Sequence, residues 1–363
     1  MRRGLPRLAA GSLIVGAIMA GSLGTVGTVA QDASPSEPYE IYLSNGLIGN
    51  DWLQQMQRIA EVAVTKAPLA GRVNLHIETV ENSAEAQISS LNNIIAAKPD
   101  AIIVHAASIS ALDPTIEAAC AAGIVVVSFS QVVTAPCPYK VNTNWASVNH
   151  DIPTWMANVL GGKGKILLDE GLPGSPISEA SNVEIEKVLS EFPDIEIVGR
   201  YVSNYALGDE KTGVASLLAA NPQVDGILTA GYGTGAIEAL KEAGRPLVPI
   251  VAFSYNGTAS ECATETEPGL ECFIYTHPPY LSADAIKLAV DVLDGNAPAS
   301  KEILNDYPRL TTEQVEGDFS PGVDIRDLEV GVNVFPELPP GVVLPIAPDW
   351  LEVTPEEAAG TAG

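Results

Sequence analysis

Along most of this chain, short runs of β-branched and other apolar residues alternate with longer stretches in which apolar positions recur every three or four residues. Runs of the first kind read as strands and stretches of the second as helices. Strands are predicted over 39–43, Val73–Thr79, Ala101–His105 and 124–129, separated by helices over 53–60, Ala84–Ala97 and 113–120. Ile88, Leu91, Ile94 and Ile95 share one face of the second helix, and Pro114 sits in the first turn of the third, where a missing N–H costs nothing. The run 101–104 is apolar without alternation, as in a strand covered on both faces.

After 139–142 the pattern starts again. Strands are predicted over 165–170, 195–198, 224–229, 248–253 and 271–276, with helices around Trp155 and Met156, over 177–192 and 212–220, from after Gly235 to about Ala243, and over Leu281–Leu293. Strand and helix in strict alternation is the signature of βαβ units and parallel sheets, so the fold class is α/β with two similar halves in series. The last helix comes too late to complete the second half and is expected to pack back on the first. From Asn305 the chain is Pro-rich and aperiodic, which reads as an extended wrap anchored by Trp350, with 354–363 expected to be mobile.

Parallel strands line up their C-terminal ends along one edge, where ligands bind. The loop Asn45-Gly46-Leu47-Ile48-Gly49-Asn50-Asp51-Trp52 follows the first strand and ends in a large aromatic at the mouth of a helix. Ser128, Ser130 and Gln131 at the end of the fourth strand should converge with it. Asn50 and Asp51 also serve as ordinary helix caps, and an aromatic at a strand end is often simply core. Trp52, Trp145, Tyr232 and Tyr255 together, however, suit the apolar face of a sugar ring while amides and hydroxyls meet its polar edge.

The 363 residues and 46% hydrophobic content suffice for two cored domains. A formal charge of −26, with no basic block beyond the N-terminus, argues against nucleic acid or anionic membrane as partners. Residues 1–30 read as an export signal: Arg2, Arg3 and Arg7, an apolar centre broken by Gly16, Gly21 and Gly24, and small residues up to Ala30. A short flexible lead, 31–38, follows. Cys120, Cys137, Cys262 and Cys272 fit an oxidising compartment and allow three pairings, of which the sequence-local pairs Cys120–Cys137 and Cys262–Cys272 are favoured. No metal is expected, because Cys-x-x-Cys spacing is absent and His76, His105, His150 and His277 are scattered. No cofactor is expected either: Gly231-Tyr232-Gly233-Thr234-Gly235 follows a strand but lacks the Lys-Ser/Thr ending or the third glycine of a phosphate loop. Asp51, Asp169, Glu170 and Glu179 lie near strand ends and would support an enzyme only as a close pair.

The export signal, the two α/β halves, the Asn-Gly-x-x-Gly-Asn-Asp-Trp loop, the run 123–130 and Ile250-Val251-Ala252-Phe253-Ser254 resemble the ribose-type sugar-binding proteins of bacterial ABC importers. The resemblance covers roughly residues 39–310. It implies a type I periplasmic-binding-protein fold, with two Rossmann-like lobes joined by three hinge strands and closing on one small ligand. The lobes would be 39–143 plus 277–305 and 144–276 plus 306–320, hinged near Thr143-Asn144, Tyr275-Thr276 and 306–309, with 321–363 as a tail. It also implies ligand contacts at Asn45, Asn50, Asp51, Trp52, Ser130, Gln131, Asn144, Glu179, Tyr232, Ser254, Tyr255 and Thr276. The charged positions of the family pattern fall here on Ser130-Gln131, Glu179, Gly231-Tyr232 and Ser254, and its hinge Gln on Thr276. The ligand is therefore expected to be a sugar, polyol or similar molecule other than ribose, held by amides, hydroxyls, Asp51 and Glu179 rather than Arg. The partners implied are that ligand and an ABC permease, for an exported (periplasmic or extracellular) monomer. A secreted enzyme on a small carbohydrate and a ligand-presenting receptor for a sensor stand as alternatives.

Overall fold

The computed structural model describes residues 37–47, 49–264, 268–312, 322–325, 339 and 341–361, and the expected export signal, 1–30, lies outside them. The first lobe is a six-stranded parallel sheet of β1 (Tyr39–Asn45), β2 (Val73–Thr79), β3 (Ala101–His105), β4 (Val125–Phe129), β5 (Tyr139–Thr143) and β11 (Glu302–Asn305), in the order β11-β5-β4-β3-β1-β2. Its helices are α1 (Asp51–Thr65), α2 (Ala84–Ala97), α3 (Asp113–Ala121) and α9 (Leu281–Leu293). Local chemistry sets their starts: Asn50 accepts from the Leu53 amide and Ser83 from the Ala86 amide, each satisfying an amide that the first turn leaves unpaired. All five residues of β3 are buried, and alternate ones serve opposite cores. Ala101 and Ile103 face the α1–α9 layer, whereas Ile102 and Val104 face α2 and α3.

The second lobe holds β6 (Lys163–Asp169), β7 (Asp194–Tyr201), β8 (Gly226–Leu228), β9 (Ile250–Phe253), β10 (Cys272–Tyr275), β12 (Arg309–Thr311) and β13 (Gly322–Asp324), in the order β13-β12-β10-β9-β8-β6-β7. Only the β10–β12 pair is antiparallel. Helices α4 (Trp145–Val159), α5 (Pro176–Leu189), α6 (Leu207–Ala220), α7 (Thr234–Glu242) and α8 (Asn256–Thr264) complete it. Two of these differ from the sequence reading. α6 begins at Leu207 rather than 212, at an end without a side-chain cap, and α8, in which Asn256, Gly257, Thr258, Ser260 and Thr264 outnumber the good helix formers Ala259, Glu261 and Ala263, has no strong propensity to announce it.

Among the described strands the chain passes from one sheet to the other from β5 to α4, from β10 to α9 and from β11 to β12, where the resemblance places the hinges. α9 returns to the first lobe and packs on β4 and α1. The disulfides are Cys120–Cys137 and Cys262–Cys272. By loop length the first stabilises by about 3 kcal/mol.

Arg309, at the third crossing, is almost wholly buried. It meets Asp151 of α4 at 3.2 Å, donates to Ser147 Oγ (2.8 Å) and donates to the Tyr307 carbonyl (2.6 Å). Burial pushes the Asp151 pKa up, and Arg309 chiefly opposes that. Arg309→Ala is expected to cost about 3–5 kcal/mol, since it strands a buried carboxylate. Asp151→Asn in the same chain should recover part of the loss in a denaturant titration, and no recovery would rule out the ion pair as the cause.

The C-terminal segment is ordered where the sequence suggested mobility. α10 (Pro355–Ala359) carries a capping box between Thr354 and Glu357 and packs on α1, held by Lys66–Glu357 (2.6 Å) and by Arg58 Nε donating to the Ala358 carbonyl (3.0 Å). Before it, 342–351 runs across both lobes. Gln55 of α1 donates to the Val343 carbonyl (2.9 Å) and accepts from its amide (2.7 Å), while Tyr255 forms a β-bridge to the same residue. Trp350 Nε1 donates to Asp284 of α9 (2.7 Å), the anchor expected of it.

Candidate functional site

The C-terminal ends of both sheets face a cavity of about 470 Å³. The loop 45–52, the end of β4, the start of α4, α5, and the loops after β7 and β8 wall it. Of the twelve residues expected to meet a ligand, Asn50, Asp51, Trp52, Ser130, Gln131, Tyr232 and Tyr255 line it.

The other five do not, each for a traceable reason. Asn45 is buried beneath the loop, donating to the Leu47 carbonyl and pairing with His105 Nδ1 (3.1 Å). Asn144 caps α4 and donates to Asp306. Glu179 is exposed: on α5 the cavity-facing stripe is Ile177, Ser178, Ser181, Asn182 and Ile185, and position 179 falls off that stripe. Ser254 and Thr276 are buried, and both hydroxyls donate to the Leu344 carbonyl (2.7 Å each). They hold the chain's own C-terminal segment.

Rings make the floor. Trp52 stacks on His277 (5.4 Å between centroids, 6° between planes), and its indole N–H donates to the His277 carbonyl (2.6 Å). Trp145 lies 5.0 Å from the same imidazole, and Tyr232 stacks on Tyr255 at 3.8 Å. His277 sits in the second crossing and pairs with Thr143 Oγ1 (2.7 Å) and Ser130 Oγ (2.8 Å), so it ties the first two crossings to the end of β4. His105, Asn149 and His277 have no strong sequence signal, because only the fold brings these scattered positions to one cavity. Tyr232 OH donates to Asp51 Oδ2 (2.7 Å) and links the lobes across the cleft.

Backbone strain gathers here as well. Among the described residues, four non-glycines have positive φ, and three of them, Ser130 (57°), Asn204 (51°) and Tyr205 (54°), line the cavity. Such residues cost on the order of 1–3 kcal/mol and collect at ligand sites.

Three of the four carboxylates near strand ends are engaged by other groups, and Glu179 is exposed. Asp169 accepts from the amides of Gly171 (2.9 Å), Ser203 (3.1 Å) and Ala230 (3.0 Å), stapling the loops after β6, β7 and β8. Burial raises its pKa, the Ser203 hydroxyl and then those amides lower it, and its lone pairs are spent. Asp51 is engaged by Tyr232, while Glu170 lies beside Arg200 (3.5 Å). The Gly231–Gly235 loop wraps a protein carboxylate rather than a phosphate. Glu210 of α6 accepts from the Ala236 amide, and a Cβ on Gly231 or Gly235 would sit 2.9 Å from its oxygens. Burial pushes Glu210 up to about 8. Among the described residues lining the cavity there is no Lys or Arg.

His105 and His277 are fully enclosed, and burial pushes both down to about 3. In the unfolded chain they titrate near the ordinary value of about 6.5. Below that pH the unfolded state takes up protons the folded state refuses, so stability falls as pH drops toward 3. Glu210, and Asp284 pushed up to about 6, act oppositely: their contribution is present below their unfolded values and lost as pH rises through the folded ones. The two effects oppose one another between about 3.8, the unfolded value of Asp284, and about 6.5. Below about 3.8 the histidines act unopposed by these two acids. His277→Gln is therefore expected to remove about half of the histidine contribution to the stability lost between about pH 3.8 and 3, read by calorimetry. An equal loss would place the proton uptake elsewhere.

A family profile described as "Periplasmic binding protein domain" matches residues 41–297. The chain is 30% identical over 189 residues to a xylitol-binding protein of Mycolicibacterium smegmatis, a match covering 50% of this chain and 53% of that protein. It is 21% identical over 263 residues to a ribose import binding protein of Bacillus subtilis, covering 71% and 82%. Among solved structures, an ABC transporter solute-binding protein of Thermobispora bispora superimposes with a TM-score of 0.65 at 27% identity, over 76% of this chain and 85% of that one.

Proposed function

Because the chain belongs to the periplasmic binding protein domain family, we propose that it is an exported solute-binding protein that captures one small, uncharged sugar or polyol-like molecule between its lobes and hands it to an ABC permease. The observation that carries this is the cavity itself. It lies at the C-terminal ends of parallel strands from both sheets, walled by rings, amides and hydroxyls and by no cation among the described residues. A neutral polyol fits such a wall, whereas a phosphorylated or carboxylated sugar would find no counter-charge there. The relatives named above, binders of xylitol and of ribose by their names, support that ligand class.

In this reading Trp52 and Tyr232 stack on the ligand, and Asn50, Ser130, Gln131 and Asn149 take its hydroxyls. The two bodies that move are 39–143 with 277–305 and 144–276 with 306–320. A ligand that touches both of them stabilises the closed arrangement in which Tyr232 reaches Asp51. Residues 1–30 direct export and are removed near Ala30, and the mature protein works as a monomer. The −26 charge leaves nucleic acid no attraction.

A thermal-shift screen of the mature chain against monosaccharides, alditols and sugar acids tests this, with every hit recovered and analysed. A ligand at a hundred times its Kd adds about 2.7 kcal/mol, a readily measured rise. A neutral hit recovered intact supports the reading. A hit that is chemically converted, or a preference for sugar acids, overturns it.

A further inference from the structure

The glycine-rich loop after β8 closes around a side chain that does not reach the cavity. Glu210 of α6 is wholly buried and is not among the residues that border the cavity. Its carboxyl sits where the first turn of α7 leaves amides unpaired, and it accepts from the Ala236 amide at 3.2 Å. Burial raises its pKa to about 8, while the Gly233, Ala236 and Tyr232 amides pull the other way. Gly231 and Gly235 leave no room for a Cβ beside its oxygens. At Gly235 the Leu207 carbonyl oxygen and the Lys211 amide nitrogen also lie only 3.0 Å from where that atom would be. Loop and carboxyl are fitted to each other.

The loop carries Tyr232, whose ring borders the cavity and stacks on Tyr255 at 3.8 Å, and whose hydroxyl donates to Asp51 across the cleft (2.7 Å). A tyrosine side chain turns about two bonds only, so the backbone that bears it sets where its hydroxyl lands. Three groups hold that backbone. Asp169 takes the Ala230 amide before it (3.0 Å), Thr258 Oγ1 donates to the Tyr232 carbonyl, and Glu210 takes the Ala236 amide after it. Asp169 serves the loops after β6 and β7 as well, whereas Glu210 bears on this one. On the outside of the molecule α6 and α7 are also joined by Lys211 with Glu238 (2.9 Å) and Glu242 (2.8 Å), so the two helices stay paired when Glu210 is cut back.

We propose that Glu210 is the positioning residue for Tyr232: by fixing the loop from behind, it sets both the ring that meets the ligand and the hydroxyl that bridges to Asp51. This rests on the solute-binding reading and deepens it, placing a determinant of affinity outside the cavity. Near neutral pH a carboxyl with that pKa is mostly protonated and still accepts through one oxygen, so a carboxamide is its close mimic.

Titration calorimetry on the mature full chain tests it with xylitol, sorbitol, D-ribose, D-xylose, L-arabinose and D-glucose as probes. For the tightest of them Glu210→Ala is expected to weaken binding at least fivefold, and Glu210→Gln to stay within twofold of the parent. Tyr232→Phe, which keeps the ring and loses the bridge, should weaken binding threefold or more in the parent but less than twofold on top of Glu210→Ala, because the hydroxyl is then already displaced. Two residues acting independently would multiply instead. Hydrogen exchange over 230–236 should quicken in Glu210→Ala. If that variant does not fold, Gly235→Ala, whose Cβ drives the same turn off the carboxyl, takes its place. Parental affinity in the variant, whatever its Tm, overturns the inference and leaves the solute-binding reading standing. So do unchanged exchange, a Glu210→Gln as weak as Glu210→Ala, a harmless Tyr232→Phe, or effects that multiply. No binding by any of these probes to the parent overturns both readings.

Discussion

A chain ending at residue 340 is expected to unfold at least 10 °C, roughly, below the full chain and to open its cleft more readily. The segment 342–351 buries Val342, Val343, Leu344 and Leu351 almost completely. At about 1.5–3 kcal/mol for each large aliphatic side chain, and about 1 kcal/mol for each internal hydrogen bond, the loss exceeds about 5 kcal/mol. For a protein of this size each kcal/mol is worth about 2–4 °C. The connections fall on both lobes: Gln55, Arg58, Lys66 and Asp284 on the first, and Ser254, Tyr255 and Thr276 on the second. The segment therefore works as a strap beside the three crossings. Hydrogen exchange at Gln55 and at Tyr255–Asn256 should quicken in the truncated chain, since the Asn256 amide donates to the Val342 carbonyl (2.7 Å). An unchanged Tm with unchanged exchange would remove the strap from the account. The path is also sterically tight: a Cβ on Gly341 would clash with the Asp51 carboxylate, so Gly341→Ala should reproduce part of the effect.

Trp52→Ala is expected to abolish measurable ligand binding and to destabilise by about 3–5 kcal/mol. Seen only as an aromatic at the mouth of a helix, this tryptophan looks removable at little cost to the fold. In the structure it is 7% exposed, its ring lies on His277 and near His105 (5.6 Å), and its N–H is spent on the His277 carbonyl. It is wall and core at once, and removing it leaves a hole between the first lobe and the second crossing. Trp52→Phe, which keeps a ring and loses the donor, should cost about 1–3 kcal/mol for the unpaired carbonyl and the lost area, and should retain partial binding. Calorimetry and titration with the hit from the sugar screen measure both quantities. Wild-type stability in the alanine variant would refute the packing role, and wild-type affinity would take Trp52 out of the site.

Much of this arrangement can be read directly from the chain. The central strands are unbroken apolar runs because both faces of each sheet are covered, as the alternate placement of Ile102 and Ile103 in different cores makes plain. α1 and α2 announce themselves through Asn50 and Ser83, whose side chains do the capping locally. The sequence-local disulfides follow from chain proximity. Elements whose stability comes from elsewhere are silent by the same logic. α6 starts without a cap, and α8 carries Asn256, Gly257, Thr258, Ser260 and Thr264 among its nine residues and is held by its place beside α7 and by the Cys262–Cys272 bond.

Site residues divide along that line. Asn50, Asp51, Trp52, Ser130 and Gln131 sit within a few residues of a strand end, so the strand pattern alone brings them to the sheet edge, and Tyr232 and Tyr255 follow β8 and β9 in the same way. Ser254 and Thr276 also sit at strand ends, yet they bind Leu344, some seventy to ninety residues downstream. Glu179 is one helical step from the face that meets the cavity. Periodicity and capping are local, so the amino-acid sequence by itself determined the class of fold, the order of its elements and the edge on which a ligand would sit. The tertiary structure decided which of those edge residues are open to a ligand and which are spent on the strap or on loops. Those outcomes depend on contacts between positions far apart in the chain, and no local pattern encodes them.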